Sequence, residues 1–403
     1  MEPLKIVHIY ELGPQEEGVL IGGVEVALLE LSKSLLKLGH EVTIVNGASK
    51  SSRDFSTDGI TIRHIDFGGF MKSTWDPSNL RLMRQIAFPI AALKADLGEY
   101  DIYHGHFYTS GLVANFLARR NRAVAVNTIH GSYYDIWRYL EPPIVSSMYR
   151  LTERTLAPAL AKMSGIQIHT GGYFADKVKT WGAPSEKVVT IHNGFDPKKF
   201  NPQTRPIEIP VDETILFTAR RLVEKNGLEY LIKAMPKIVE KYDAHLLIAG
   251  DGPHKSQLQR LAETLGLRKN ITFIGLIPHQ KLAPYIVRSD IVIVPSLMES
   301  SSLFLIESMA CKKAVVASNV GGIPEVLNRD CGVLIKPMDE SALSAAVLYL
   351  LSNDAVKNEL AENAFQAVTK ALTWDNVGRL TQSAYSKALG AKVSSNSQDL
   401  KLS

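Results

Sequence analysis

Apolar residues along this chain alternate between two spacings. Compact aliphatic and β-branched runs at residues 5–10, 41–45, 60–65, 101–104 and 123–129 have the length and composition of buried strands. Between the first two, Leu28, Leu31, Leu35 and Leu38 fall at helical spacing with Gly39 as a stop, which predicts a helix over 24–38. Further helices are expected around 79–97 and 110–119, residues 144–181 read as largely helical, and 187–191 reads as another strand. Strand, helix, strand in this order predicts parallel pairing. Residues 201–212 carry three prolines and little periodicity, as a semi-rigid linker does. The pattern then restarts: strands at 215–219, 244–249, 271–274, 291–294, 314–317 and 332–335, helices at 226–241, 254–265, 279–288, 303–311, 322–328 and 340–351. The expectation is an α/β chain of two Rossmann-like halves, 1–200 and 213–373. A last helix at 374–390 and a flexible tail at 391–403 follow.

Length agrees with this division, because 403 residues exceed the size at which one core usually stops growing. Hydrophobic content of 45% and charged content of 21% are ordinary for a soluble globular protein, and a net charge of +4 is too mild to indicate nucleic acid. Cys311 and Cys331 provide neither a disulfide framework nor metal-ligand spacing, which fits a reducing, cytoplasmic compartment. The N-terminal apolar run is too short for a signal sequence, and no stretch approaches the roughly 20 apolar residues of a spanning helix. Arg81, Arg84 and Lys94 accompany Leu80, Leu82, Met83, Ile86 and Phe88. That mixture suits either an ordinary amphipathic helix, interrupted at Pro89, or a peripheral contact of the N-terminal half with an anionic inner membrane face.

Chemistry concentrates in residues 291–311, where Glu299 and Glu307 are the two acids in an apolar and small-residue setting. The run 291–294 reads as a strand ended by Pro295, and Ser300, Ser301 and Ser302 offer caps for a helix that starts near Leu303 and carries Glu307. The carboxyl ends of strands in an open α/β sheet are where ligands bind, and a helix N-terminus there favours anions. A second cluster, Arg220, Arg221 and Lys225, lies between a strand end and a helix start, where guanidinium and ammonium groups match a diphosphate. Gly22 and Gly23 close the loop after the first strand and would let the backbone approach a phosphate, without forming a G-x-G-x-x-G fingerprint. His130 ends the strand at 124–129. No D-x-D pair is placed to hold a divalent ion against a diphosphate, so transfer without a metal is expected.

Taken in order, these motifs resemble the retaining GT-B glycosyltransferases of family 4 (glycosyl transferases group 1). The pattern E-x7-E with S-M-A at 308–310 is similar to that family's donor motif, with Ser300, Ser301 and Ser302 standing where Gly-Phe-Gly is common. The G-G-x-E at 22–25, H-G at 130–131, N-G-x-D at 193–196, G-D-G-P at 250–253, Gly275 and G-G-x-P-E at 321–325 resemble further family motifs, over most of the chain. The resemblance implies two domains facing across a cleft, with 374–390 returning to the first. It implies a nucleotide-sugar donor, UDP- or GDP-linked, no further cofactor, an acceptor hydroxyl of unspecified kind, and anomeric retention commonly drawn as front-face attack. It implies that Glu299 lies near the donor sugar and Glu307 on the ribose. Arg220 or Arg221, with Lys225, would meet the diphosphate; Gly22, Gly23, Gly250, Gly275, Ser301, Ser302 and Leu303 would line the donor; and His130 would support the donor sugar or the acceptor side. A glycoside hydrolase, a sugar-nucleotide epimerase and a catalytically silent nucleotide-sugar binder remain alternatives, separable by the substrate each turns over.

Overall fold

The computed structural model describes residues 2–12, 22–48, 54–66, 78–209 and 213–399. The chain divides into two compact units. Unit 1 is Met1–Trp137, Pro142–His192 and Trp374–Ser403, and unit 2 is Arg138–Glu141 and Asn193–Thr373.

Unit 1 begins with β1 (Lys5–Ile9), α1 (Gly23–Lys37), β2 (Glu41–Ala48), β3 (Phe55–Thr57), β4 (Ile60–Asp66), α2 (Ser78–Lys94), β5 (Ile102–His106), α3 (Phe107–Arg120) and β6 (Val124–Ile129). After the short α4 (Trp137–Leu140) come α5 (Pro143–Met163), β7 (Ile166–His169), α6 (Gly172–Thr180) and β8 (Val188–Thr190). The sheet order is β3-β4-β2-β1-β5-β6-β7-β8. Pairing is parallel except for β3 on β4, a hairpin turned by Asp58 (φ 51°) and Gly59 (φ 81°), an Asp-Gly pair of the kind that hairpin twist favours. The sequence pattern did not predict this edge strand. Central strands read as continuous apolar runs because helices cover both faces, and Ile6, Val7 and Ile9 are fully buried. The stretch read as largely helical contains β7, whose alternation of Ile with Gln167 and His169 is wholly interior. Gln167 meets its polar needs by donating to the Ala157 carbonyl at 3.0 Å and lying 2.9 Å from His169 Nε2.

Unit 2 runs β9 (Thr214–Ala219), α7 (Leu228–Val239), β10 (Ala244–Ala249), α8 (Lys255–Thr264), β11 (Ile271–Gly275), α9 (Ala283–Arg288), β12 (Ile291–Val294) and α10 (Leu303–Ala310). It ends with β13 (Ala314–Ser318), α11 (Ile323–Val326), β14 (Val333–Ile335), α12 (Glu340–Ser352) and α13 (Asp354–Ala371), the last a helix that the sequence reading left unassigned. All six strands are parallel, in the order β11-β10-β9-β12-β13-β14. The linker read at 201–212 lies against this unit where described, with the Ile207 amide donating to the Pro284 carbonyl at 3.2 Å; residues 210–212 lie outside the described residues. Finally α14 (Trp374–Asp399) belongs to unit 1 and packs on α1, so closely at Gly378 that an added Cβ would stand 2.8 Å from Ser34 Cβ. The helix runs on to Asp399, where the sequence reading placed a flexible tail from 391. Among the described residues no helix is long and apolar enough to cross a membrane.

In both sheets the order reverses direction beside the first strand of the unit: between β1 and β5 in unit 1, and between β9 and β12 in unit 2. Such switch points open crevices at the strands' carboxyl ends. The candidate site residues lie on or after those strands, with His130 after the neighbouring β6.

Candidate active site

In unit 2, Arg220 follows β9 and Glu299 lies in the loop that follows β12, on the two sides of the switch point. The Arg220 guanidinium is nearly enclosed. Its Nη1 donates to Ser302 Oγ at 2.7 Å, while Nη2 donates to Ser296 Oγ at 2.7 Å, to Asn226 Oδ1 at 3.2 Å and to a Glu299 carboxylate oxygen. Burial alone would raise the Glu299 carboxyl; Arg220 and then Lys225 outweigh it and hold the group below the ordinary glutamate value. Glu299 is therefore ionised at neutral pH. Two glycines bring the partners this close. Gly250 (φ 131°) turns β10 beneath the Arg220 carbonyl, and Gly321 (φ 52°) folds against the Glu299 carbonyl, each where a Cβ would collide with backbone oxygen. The Gly322 amide then donates to that same Glu299 carbonyl at 3.0 Å.

Ser302 is also the N-cap of α10, accepting from the Leu305 amide at 3.3 Å, so one hydroxyl joins the helix start to the guanidinium. Ser301 is buried differently: its Oγ accepts from the Asn193 amide at 3.1 Å and its carbonyl from Asn193 Nδ2 at 2.9 Å. Leu303 is buried at the first turn. Glu307, 1% exposed, lies inside α10 with its Oε1 2.5 Å from His279 Nε2. Of the two adjacent arginines, Arg220 turns inward to the acids and serines and Arg221 is exposed, its carbonyl accepting from Asn226 Nδ2 at 2.7 Å. Lys225 ends next to this loop, where its carbonyl accepts the Leu297 amide at 2.8 Å. Gly275 closes β11 with a left-handed backbone (φ 76°), its carbonyl accepting the Gly250 amide at 2.7 Å. Ser296 and His279 were not singled out from sequence, each being joined to the site through a partner distant in the chain. Asn193 figured there only as the start of the N-G-x-D, and Asn226, whose partners Arg220 and Arg221 are close in the chain, had no assigned role.

In unit 1, His130 follows β6 and is the outermost of a cluster of imidazoles. His8 on β1 and His104 on β5 are opposite one another in register, and the two-residue period of a strand puts His106 on the same face as His104. His8 Nδ1 lies 2.9 Å from His106 Nε2, and His106 Nδ1 lies 2.8 Å from His130 Nε2. His104 stacks on His106 at 4.5 Å and is held apart from that series, its Nδ1 on Tyr385 Oη and its Nε2 on Thr128 Oγ1, both at 2.7 Å. Burial holds His8 down to about 3, with the charge of His130 adding to it, and holds His130 to about 3; His104 and His106 are likewise pushed well below the usual range, burial first. These rings are neutral at physiological pH. The side-chain nitrogens of His8, His104 and His106 fall within 4.8 Å of one another, so imidazole ligands for a metal ion are present in number. A metal would have to displace the hydrogen bonds that both nitrogens of His104 and of His106 already make.

The segment after His130 is fixed by a residue the sequence reading passed over. Glu153, buried on α5, accepts from Ser132 Oγ, Trp137 Nε1 (2.6 Å), the Tyr133 amide (3.3 Å) and Tyr108 Oη (3.4 Å). Burial still raises its carboxyl above the ordinary value despite those donors. Gly22 and Gly23 open α1, with the Gly22 amide donating to Glu25 Oε2 at 3.2 Å; the rest of that glycine loop, 13–21, lies outside the described residues. Arg81 and Arg84 of the basic, apolar helix likewise have no described side chains, although Ile86 and Ile90 of α2 are about half exposed at 56% and 50%.

Comparison with known proteins bears on this geometry. Residues 21–199 match the family described as Glycosyltransferase Family 4, and residues 200–367 match Glycosyl transferases group 1. An uncharacterised glycosyltransferase of Methanocaldococcus jannaschii is 26% identical over 391 residues, covering 92% of this chain and 95% of that protein. Among solved structures, sucrose-phosphate synthase from Thermosynechococcus elongatus superposes with a TM-score of 0.82 at 22% identity, covering 96% of this chain and 99% of that one. Anabaena HepE, crystallised with UDP and glucose, gives 0.72 at 17% identity over 95% and 99% of the two chains. The two matched regions adjoin and take in every strand but β1, the fold is GT-B, and the chain belongs to the family 4 group of GT-B glycosyltransferases, enzymes that transfer a sugar from a nucleotide sugar.

Proposed function

We propose that this chain is a retaining glycosyltransferase that works without a metal ion, moving a sugar from a UDP- or GDP-linked donor to an acceptor hydroxyl. The observation that carries the reading is the inward guanidinium of Arg220, set between Glu299 and the capped N-terminus of α10 with Lys225 beside it. Transfer breaks the bond from the anomeric carbon to the diphosphate, and negative charge gathers on the departing oxygens. Arg220, Lys225 and the amides at the α10 start supply fixed positive potential there, the role a divalent ion otherwise takes. On the front-face route the new bond forms on the side the diphosphate leaves, and the acceptor proton passes to a departing phosphate oxygen. Glu299 then orients Arg220 and faces the sugar, and Glu307, oriented by His279, takes the ribose hydroxyls. The family resemblance assigns His130 to support of the donor sugar or of the acceptor side.

Thermal unfolding in the presence of UDP- and GDP-sugars identifies the donor, because ligand bound to the native state raises stability with concentration over Kd. Turnover of that donor is then measured against hydroxyl acceptors, with and without chelator. Transfer that survives chelator is the expected result. An absolute requirement for a divalent ion overturns the metal-free reading, release of sugar without an acceptor favours a hydrolase, and interconversion of the donor alone favours an epimerase. Glu307→Ala should weaken nucleoside diphosphate binding about 10- to 150-fold, the equivalent of losing charge-assisted hydrogen bonds of roughly 1.5–3 kcal/mol.

A further inference from the structure

The three imidazoles His8, His106 and His130 are joined nitrogen to nitrogen, and a neutral imidazole carries one N–H and one lone pair. The two hydrogen bonds can therefore point in only two ways, both outward toward His130 or both inward toward His8. The inner end decides between them. His8 is fully buried, and among the described residues its Nε2 has no hydrogen-bond partner. An inward chain would place an N–H at that atom, a buried donor with nothing to receive it, whereas an outward chain leaves a lone pair there. Orphaned buried N–H groups are the rarer and costlier of the two.

We infer that His8 and His106 are positioning residues that hold His130 in a single tautomer: His8 Nδ1–H donates to His106 Nε2, His106 Nδ1–H donates to His130 Nε2, and His130 is left with its proton on Nδ1. The ring that meets the substrate is thus a hydrogen-bond donor at its outer nitrogen, suited to a sugar or acceptor oxygen and unsuited to removing a proton from one. This last step rests on the role proposed for His130 above; the tautomer itself does not.

The backbone supports a rigid chain. β5 passes directly into α3 at Phe107, whose φ of 65° is a left-handed conformation that a bulky side chain adopts only when its surroundings enforce it. Its ring lies 5.4 Å from that of His130 and 5.9 Å from that of Tyr10. His106, the residue just before that turn, is 1% exposed and has both nitrogens occupied.

The test is a long-range proton–nitrogen correlation spectrum of the full chain, labelled with 15N-histidine and free of ligand. The expected result is Nδ1-protonated His130 and Nδ1-protonated His8. In His106→Phe, His130 should relax to a mixture of tautomers, while His106→Asn, whose side-chain amide stands where Nδ1–H stood, should restore the single tautomer. Where His106→Phe fails to fold, His8→Phe gives the same reading one ring further away, since His106 is then free to reverse. An Nε2-protonated His130 in the unaltered chain overturns the inference, and so does a His130 tautomer indifferent to both phenylalanine variants. None of these readings needs a substrate, so they stand or fall apart from the proposed transfer reaction. With a donor and acceptor in hand, kcat should fall at least tenfold in His106→Phe and recover in His106→Asn, with KM for the donor within about threefold.

Discussion

The two sheets carry their candidate site residues beside the switch point and solve the electrostatic problem in opposite ways. Beyond β9 and β12 the site is ionic: Arg220 and Glu299 are nearly enclosed, and the guanidinium, with Lys225 after it, holds the Glu299 carboxyl below its ordinary value. In unit 1 it is neutral: His8 on β1, His104 and His106 on β5 and His130 just after β6 lie together, and burial keeps the proton off them. On the function proposed above, charge in unit 2 suits a departing diphosphate and neutrality in unit 1 suits directed hydrogen bonds to hydroxyls. The two regions should therefore fail under different insults.

The largest effect is expected from removing one member of the ion pair. Arg220→Ala leaves the Glu299 carboxylate enclosed without its guanidinium, and breaking a buried pair in this way costs about 3–5 kcal/mol. Neutralising the orphan as well, in Arg220→Ala with Glu299→Gln, should recover at least half of that loss. Urea titration followed by far-ultraviolet circular dichroism gives both numbers. A single substitution costing less than about 1 kcal/mol would place the pair among ordinary surface contacts, and the contrast between the units would lose its ionic half.

How much of this was readable beforehand depends on how far apart in the chain the partners lie. The strand and helix order, and motifs such as the G-D-G-P at 250–253, are local, so the parallel sheets, the positions of Glu299 and His130 beyond strand ends and that of Glu307 inside a helix followed from sequence. The Asp58-Gly59 hairpin was equally local and was passed over because its first strand is only three residues long. β7 was hidden for another reason: Gln167 and His169 look like surface residues until each is seen to bond the other inside the sheet. The histidine series had one visible sign, His104 and His106 two apart in a strand, but His8 is 98 residues from His106 and the pairing that joins them is set by strand order. Which of two adjacent arginines turns inward was likewise beyond the pattern, since it hangs on where β9 ends.

Acid separates the two regions more gently. His8 and His169 are buried with values near 3, against 6.5 when unfolded, so the folded state binds fewer protons than the unfolded state between those values. Their contribution is complete above pH 6.5 and is lost as pH falls toward 3, at about 1.4 kcal/mol per pH unit for each ring. Glu299, held below 4.5, keeps its contribution down to that pH and loses it only below. Unit 1 should accordingly weaken first. All four tryptophans of the chain belong to unit 1, so their fluorescence reports that unit, whereas circular dichroism reports both. Between pH 6.5 and 5 the fluorescence transition should move to lower temperature ahead of the dichroism signal from unit 2. Coincident transitions that shift together only below pH 4.5 would mean that the buried imidazoles do not carry the difference.

The smallest effect distinguishes the two arginines. Arg221 is exposed, and its backbone carbonyl, which accepts from Asn226 Nδ2 and the Val223 amide, survives any substitution of the side chain. Arg221→Ala should therefore leave stability within about 0.5 kcal/mol of the parent. If Arg220 is the residue that meets the diphosphate, Arg221 contributes only through longer-range attraction, which salt screens over about 8 Å at physiological ionic strength. Nucleoside diphosphate affinity in Arg221→Ala should then fall only a few-fold at low salt, and the difference should close as salt is raised. Arg220→Lys, which keeps a charge but loses the fork that spans Ser302 and Ser296, should lose more affinity than Arg221→Ala at every salt concentration. Calorimetric titration of the diphosphate across a salt series compares the two directly. Should Arg221→Ala prove the weaker binder, the inward arginine serves the fold and the outward one the ligand, and the ionic cluster of unit 2 is a support for the site and not its floor.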